Sequence, residues 1–213
     1  MNFKKEGNNL LTTWDDVFSK KLNDEIITDD FIKRYEKYIL DVNSKILDLG
    51  CGMGNTSKVL LSYNKKVIAA DSSNVALNFV KNNLNVETIY LDMLEKFPFK
   101  DKTFDLIIAD LSLHYFSEKD TFKILNEIKR ILKVGGKLLF RVNSIKDNNY
   151  GASCKDKIEN HYYFAMGMKK RFFDMEDIKY FFIMFNILSV KEEKMLRYEK
   201  EKNVIEGIVK RAC

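Results

Sequence analysis

Apolar residues recur along the chain in two periods: short continuous runs, each followed by a stretch with one apolar face. The runs at 45–49, 66–71, 86–91 and 104–110 predict strands. The last reads Phe104-Asp-Leu-Ile-Ile-Ala-Asp110, and its apolar centre fits burial on both faces, as in a parallel sheet. Helical spacing predicts a helix through Phe31, Ile32, Tyr35, Ile39 and Leu40, capped by Thr28 or Asp29. Further helices are expected over 55–62, over 73–82 with Ser72 or Ser73 as cap, and over 118–132 behind the capping box Ser117-Glu-Lys-Asp120. Gly135-Gly136 break that helix and a fifth strand covers 136–142. Asp174 caps a helix reaching about 182, and 187–193 and 203–210 supply two final strands.

Strands alternating with helices at these intervals mean βαβ units, right-handed crossovers and a mostly parallel, doubly wound sheet. Two strands in succession at the end close it as an antiparallel hairpin. Residues 1–213 fit one domain, in which about 1–43 form an N-terminal arm and helix. The stretch 143–170, rich in Asn, Tyr and Lys, is expected as a long polar insertion.

Composition narrows the class. With 46% hydrophobic and 31% charged residues the chain is an ordinary globular one, not a disordered one. The net charge of +5 is spread along the chain without a run of five basic residues, which is weak support for nucleic acid and fits a solvated basic surface. Cys51, Cys154 and Cys213 are odd in number and far apart, so neither a disulfide framework nor a zinc pair is expected. With no signal-peptide pattern and no window of eighteen apolar residues, a cytoplasmic protein without a membrane span is expected.

The chemistry concentrates at Ile46-Leu-Asp48-Leu-Gly50-Cys51-Gly52-Met-Gly54-Asn55, where a strand runs through alternating glycines into a helix start. Such a turn lets the backbone approach a ligand, and the helix aims free N–H groups at it. A dinucleotide loop needs G-x-G-x-x-G, but Asn55 stands where its third small residue belongs. Asp48 at the strand end suits a cationic ligand group and would repel a pyrophosphate. The segment Ile46 to Gly54 closely resembles motif I of the class I S-adenosylmethionine-dependent methyltransferases. The two-strand ending is similar to their seven-stranded sheet of order 3-2-1-4-5-7-6, last strand antiparallel, with helices on both faces. The resemblance covers about Lys45 to Gly136 well and the remainder in outline.

It implies S-adenosylmethionine as cofactor, with S-adenosylhomocysteine as product, and a set of contacts at the carboxyl ends of the strands. Asp48 would meet the methionine amino end, with the loop residues Gly50, Cys51 and Gly52 around it. Asp71, 17 residues beyond Gly54, has the spacing for a carboxylate that accepts both ribose hydroxyls. Asp92 would accept the adenine amine while Met93 packs on the ring, and Asn55, Ser72 and Leu94 are neighbours. Asp110 and Leu111 open the segment beside the transferable methyl. Cys51 reads as a small packing residue, without a histidine near it in sequence. His114 has the ordinary pKa of a general base, and equally suits a packed position at the sheet edge.

Substrate choice is expected from the arm at Trp14, from Tyr115, and from the segment holding Arg141, Tyr150, His161 and Arg171, the last able to pair a carboxylate or phosphate. The aromatics there could equally cover the sheet. The resemblance favours the small-molecule type, because 110–116 carries Ser-Leu-His and no Pro-Pro-Tyr motif. The expected partner is a small methyl acceptor, with the protein a monomer or homodimer and no metal. An RNA or protein methyltransferase, a non-catalytic cofactor-binding protein and a nicotinamide dehydrogenase are the alternatives.

Overall fold

The computed structural model describes residues 13–197 and 200–212. The chain runs α1 (Trp14–Ser19), α2 (Phe31–Arg34), α3 (Glu36–Leu40), β1 (Ile46–Leu49), α4 (Asn55–Ser62), β2 (Val67–Asp71), α5 (Asn74–Asn83), β3 (Glu87–Tyr90) and β4 (Phe104–Asp110). It continues through α6 (Glu118–Ile131), β5 (Leu132–Asn143), β6 (Lys157–Glu159), β7 (Tyr162–Ala165), β8 (Met168–Arg171), α7 (Met175–Phe181), β9 (Phe185–Arg197) and β10 (Lys200–Arg211). Seven strands form one sheet in the order β3-β2-β1-β4-β5-β10-β9. β1 to β5 pair in parallel, and β10 runs antiparallel to both its neighbours, so the sheet is the doubly wound one expected.

Strand periodicity divides the side chains between two cores. Leu47, Leu49, Ile107, Ala109, Leu138, Phe140 and Val142 face α6 and α7, meeting Ile124, Leu125, Ile128, Ile178, Phe181 and Phe182. Ile46, Ile108, Leu139 and Ile208 face the other way onto Phe31, Ile32, Tyr35, Ile39 and Leu60. This two-sided burial explains why the strand runs are continuously apolar. The same alternation sends Asp48, Asp110 and Arg141 to the second face, one step beyond its apolar residues. Register holds Asp110 opposite Arg141, and Arg141 opposite Glu206. A polar row therefore crosses the carboxyl end of the central strands.

Several boundaries differ from the expectations. The helix over 31–40 is two short ones, broken at Tyr35, whose φ of −111° and ψ of 16° leave the helical region. Gly135-Gly136 do not precede the fifth strand but lie inside it. Pairing shifts between Phe104 and Leu106, and the positive φ of Gly135 (78°) makes the excursion. The stretch 143–170 is not one irregular insertion. Asn143 still belongs to β5, and β6, β7 and β8 make a separate three-stranded antiparallel sheet. β9 and β10 extend beyond 187–193 and 203–210, because backbone pairing continues through polar outer residues. The Cys213 position and most of the arm, residues 1–12, lie outside the described residues.

Candidate functional site

The loop after β1 turns on glycines that cannot be replaced cheaply. Gly50, Gly52 and Gly54 have φ of 76°, 49° and 83°, and a Cβ on Gly50 would stand 2.4 Å from Ser112 Cβ. Ser112 is itself fixed, its Oγ donating to the Leu49 carbonyl at 2.7 Å. Leu111 also has positive φ (54°), a costly conformation for a branched side chain, and it sits where β4 ends. Its N–H donates to the Arg141 carbonyl at 2.9 Å, holding the turn.

These turns open on a cavity of about 700 Å³, within the usual range for small-molecule sites. Asp48, Gly50, Cys51, Gly52, Asn55, Asp71, Ser72, Asp92, Met93, Asp110 and Leu111 all line it, as do Trp14, His114, Tyr115, Arg141 and Tyr150. Three expected residues do not: Leu94, which packs against the core beneath α6, His161 and Arg171. His161 Nδ1 lies 2.7 Å from Asp177 Oδ2 at the start of α7. Arg171 points to the other face of β8, where Glu159 and the carbonyls of Asn160 and Phe116 take its guanidinium. It holds the small sheet against the loop after β4.

The carboxylates are placed with individual partners. Asp71 accepts from the N–H groups of Gly52 and Ser73, both at 2.9 Å, so the glycine loop itself orients it. Burial raises its pKa and those N–H donors oppose the rise. Asp48 is 1% exposed and accepts from Ser57 Oγ at 2.6 Å. Burial, together with the charges of Asp110 and Asp71, pushes its pKa up to about 7 against the hydrogen bond from Ser57. Asp92 turns its loop by accepting from the Leu94 N–H at 2.9 Å. Asp110, by contrast, is paired: Arg141 Nε and Nη2 reach its two oxygens at 2.7 and 2.9 Å. Arg141 also bonds Asp29 at 2.7 Å and lies over the Phe31 ring. It is thus committed to holding the α2 segment onto the strand ends.

Burial pushes the Cys51 thiol well up, which makes it the packing residue its surroundings imply. Asn55 ties the segment before α2 down through its amide on the Ile27 carbonyl. The helix α1 closes one side of the cavity. Asp15 accepts from Ser73 Oγ at 2.5 Å, Phe18 packs on Gly52, and Trp14 meets Phe18 and the edge of Tyr115. His114 is buried in a 3-10 turn, its ring 4.2 Å from that of Tyr115.

Asp29, Ser57, Ser112, Asn143 and Lys170 also belong to this setting and were not anticipated. Ser57 was readable in principle, since a hydroxyl in the first turn of α4 faces the end of β1. The others depend on contacts between distant segments.

The donor set fits S-adenosylmethionine. A buried carboxylate with a raised pKa gains from a cationic amino or sulfonium group, and Asp71 retains lone pairs for hydroxyl donors. Comparison with known proteins agrees. Residues 46–136 match the family described as methyltransferase domain. A sterol 4-C-methyltransferase of Caenorhabditis elegans is 33% identical over 142 residues, 62% of this chain and 41% of that protein. An uncharacterised methyltransferase of Synechocystis is 31% identical over 101 residues, 47% of this chain and 48% of that protein. The chain thus spans less than half the length of these curated relatives. Among solved structures, a SAM-dependent methyltransferase from Methanosarcina mazei superposes with a TM-score of 0.71 at 19% identity, covering 84% of this chain and 97% of the other. Another from Anabaena variabilis gives 0.68 at 18%, covering 98% and 100%. Residues 46–136 thus match the methyltransferase-domain family, and the glycine loop and strand order have the form of the class I S-adenosylmethionine-dependent methyltransferase fold.

Proposed function

We propose that this protein transfers the methyl group of S-adenosylmethionine to a small-molecule acceptor bound in the same cavity. One observation carries the reading: a single cavity is lined both by the glycine loop with Asp48, Asp71 and Asp92 and by His114, Arg141 and a mixed polar and apolar group, Asn143, Tyr150, Met168 and Lys170. Residues of α1 and of β8 both line it, which suits a compact acceptor. Its volume of about 700 Å³ gives room for a cofactor and a modest second ligand.

When bound, the cofactor supplies an electrophilic methyl group on a sulfonium. Asp48 neutralises positive charge at the amino end, Asp71 holds the ribose hydroxyls, and Asp92 and Met93 hold adenine. The Arg141–Asp110 pair stiffens the strand ends under the loop that follows β4. Tyr115, Trp14 and Phe18 exclude water, which leaves alignment and desolvation as the main contributions to rate. His114, buried against Tyr115 on the cavity wall, accepts a proton from the acceptor where the reaction releases one.

The test is a panel of small acceptors assayed for S-adenosylhomocysteine release, with RNA and protein fractions as separate arms. Turnover confined to small molecules, insensitive to ionic strength, supports the proposal. Turnover of RNA that falls steeply with salt would replace it, since phosphate contacts carry that dependence.

A further inference from the structure

The cations around the cavity are not equivalent. Arg34 bonds Glu206 through both Nε and Nη2, Arg141 is taken by Asp110 and Asp29, and Lys194 pairs with Glu201 at 2.9 Å. Lys202 is buried and pairs with Asp147 at 2.6 Å. Lys170 lines the same wall, yet no hydrogen bond or ion pair joins it to another described residue. It is half-buried, and desolvation lowers its pKa, opposed by the charge of Asp147. That carboxylate is already engaged, accepting from Lys202 Nζ and from the Asn203 N–H at 3.2 Å. Among the described residues, Lys170 therefore has no carboxylate of its own and feels that of Asp147 only through space.

A second group points to the same place. Asn143 is 1% exposed and lines the cavity, and its Oδ1 is a buried acceptor with no donor among the described residues. Leaving such an atom unsatisfied is costly, and a ligand N–H or O–H removes the cost. Chain topology joins the two segments: the Phe173 N–H donates to the Asn143 carbonyl at 2.8 Å, two residues after β8 ends, and both Asn143 and Lys170 line the cavity. Along β8, side-chain alternation turns Met168 and Lys170 to the cavity and Arg171 away from it. The anion-binding role expected of Arg171 thus falls to its neighbour.

We propose that this wall of the cavity recognises a singly charged carboxylate on the acceptor molecule, with Lys170 as its counter-ion and Asn143 Oδ1 accepting a hydrogen bond from the same ligand. The proposal deepens the methyl-transfer reading and rests on it for the word acceptor. One lysine matches the single charge of a carboxylate better than the two of a phosphate dianion. Met168 and Tyr150, which line the same cavity, supply apolar contact for the ligand body.

Ligand-observed NMR titration tests it with benzoate, its neutral isostere benzamide, and phenyl phosphate, each against the protein alone and with S-adenosylhomocysteine added. Benzoate should bind at least about tenfold more tightly than benzamide, the scale of one charge-assisted contact, and more tightly than phenyl phosphate. Lys170→Met should bring benzoate to the level of benzamide, Lys170→Arg should keep most of the preference, and both should bind S-adenosylhomocysteine like the wild type. Absence of benzoate binding, equal binding of benzamide, or a preference that survives Lys170→Met overturns the proposal, and tighter binding of phenyl phosphate overturns the carboxylate assignment. Failure of S-adenosylhomocysteine to bind would instead sink the methyl-transfer reading, while the benzoate comparison on the protein alone still decides the anion site.

Discussion

Replacing Asp48 by asparagine should stabilise the ligand-free protein at neutral and alkaline pH while weakening its hold on the cofactor. The carboxyl is raised from 3.8 to about 7 by burial, so it binds a proton in the folded protein over a pH range where the unfolded chain has lost it. Its contribution to stability is present in full below the unfolded pKa and disappears as pH rises through the folded one. About three pH units at 1.36 kcal/mol each put the loss near 4 kcal/mol above pH 7, of which roughly 2.5 kcal/mol falls between pH 5 and 8. Asparagine keeps the shape and still accepts from Ser57 Oγ, but it carries no titratable group; its buried amide hydrogens cost something at every pH. The assay is thermal unfolding of both proteins at pH 5, 6, 7 and 8 without ligand. The melting temperature of the variant should gain on that of the wild type by about 5–10 °C across this range, at the 2–4 °C per kcal/mol expected for a chain of this size. Calorimetry should show S-adenosylhomocysteine binding weakened by at least about tenfold, because a buried cationic contact has lost its counter-charge. A difference in melting temperature that does not change with pH would refute the reasoning, since Asp48 would then carry no raised pKa.

Asp71→Ala should weaken S-adenosylhomocysteine by at least about tenfold, or roughly 1.4 kcal/mol; an unchanged dissociation constant in calorimetry removes Asp71 from the site. Gly50→Ala should lower stability by at least about 2 kcal/mol, because a Cβ at φ 76° meets Ser112 Cβ at 2.4 Å, and a wild-type denaturation midpoint would show that the loop relaxes freely. His114→Gln should cut kcat by about a hundredfold with an accepted substrate and leave cofactor affinity alone; undiminished kcat would assign the ring to packing.

The sheet was legible because its strands are buried on both faces, so Ile46 to Leu49 and Phe104 to Asp110 stand out as apolar runs, and the residue after each run is where a doubly wound fold gathers its ligands. Asp48, Asp71 and Asp92 could be picked out for that reason. Arg141 is different: its position on the cavity wall could be anticipated, but not that Asp29, from a loop more than a hundred residues earlier, would join Asp110 in engaging it. The small sheet went unseen because β6, β7 and β8 are three or four residues long and mostly polar on their outer faces. Its one local signal was Met166-Gly167, both at positive φ, a two-residue hairpin turn between Tyr-Tyr-Phe-Ala and Met-Lys-Lys-Arg. Without that turn, the alternation along β8 that separates Lys170 from Arg171 could not be assigned.

The account rests most heavily on the glycine loop and its acids serving a sulfonium cofactor, and calorimetric titration with S-adenosylhomocysteine and with NADH tests this directly. Saturable one-to-one binding of S-adenosylhomocysteine, lost or sharply weakened in Asp71→Ala, with no heat from NADH, is the predicted result. Saturable binding of NADH with none of S-adenosylhomocysteine would contradict the account at its centre.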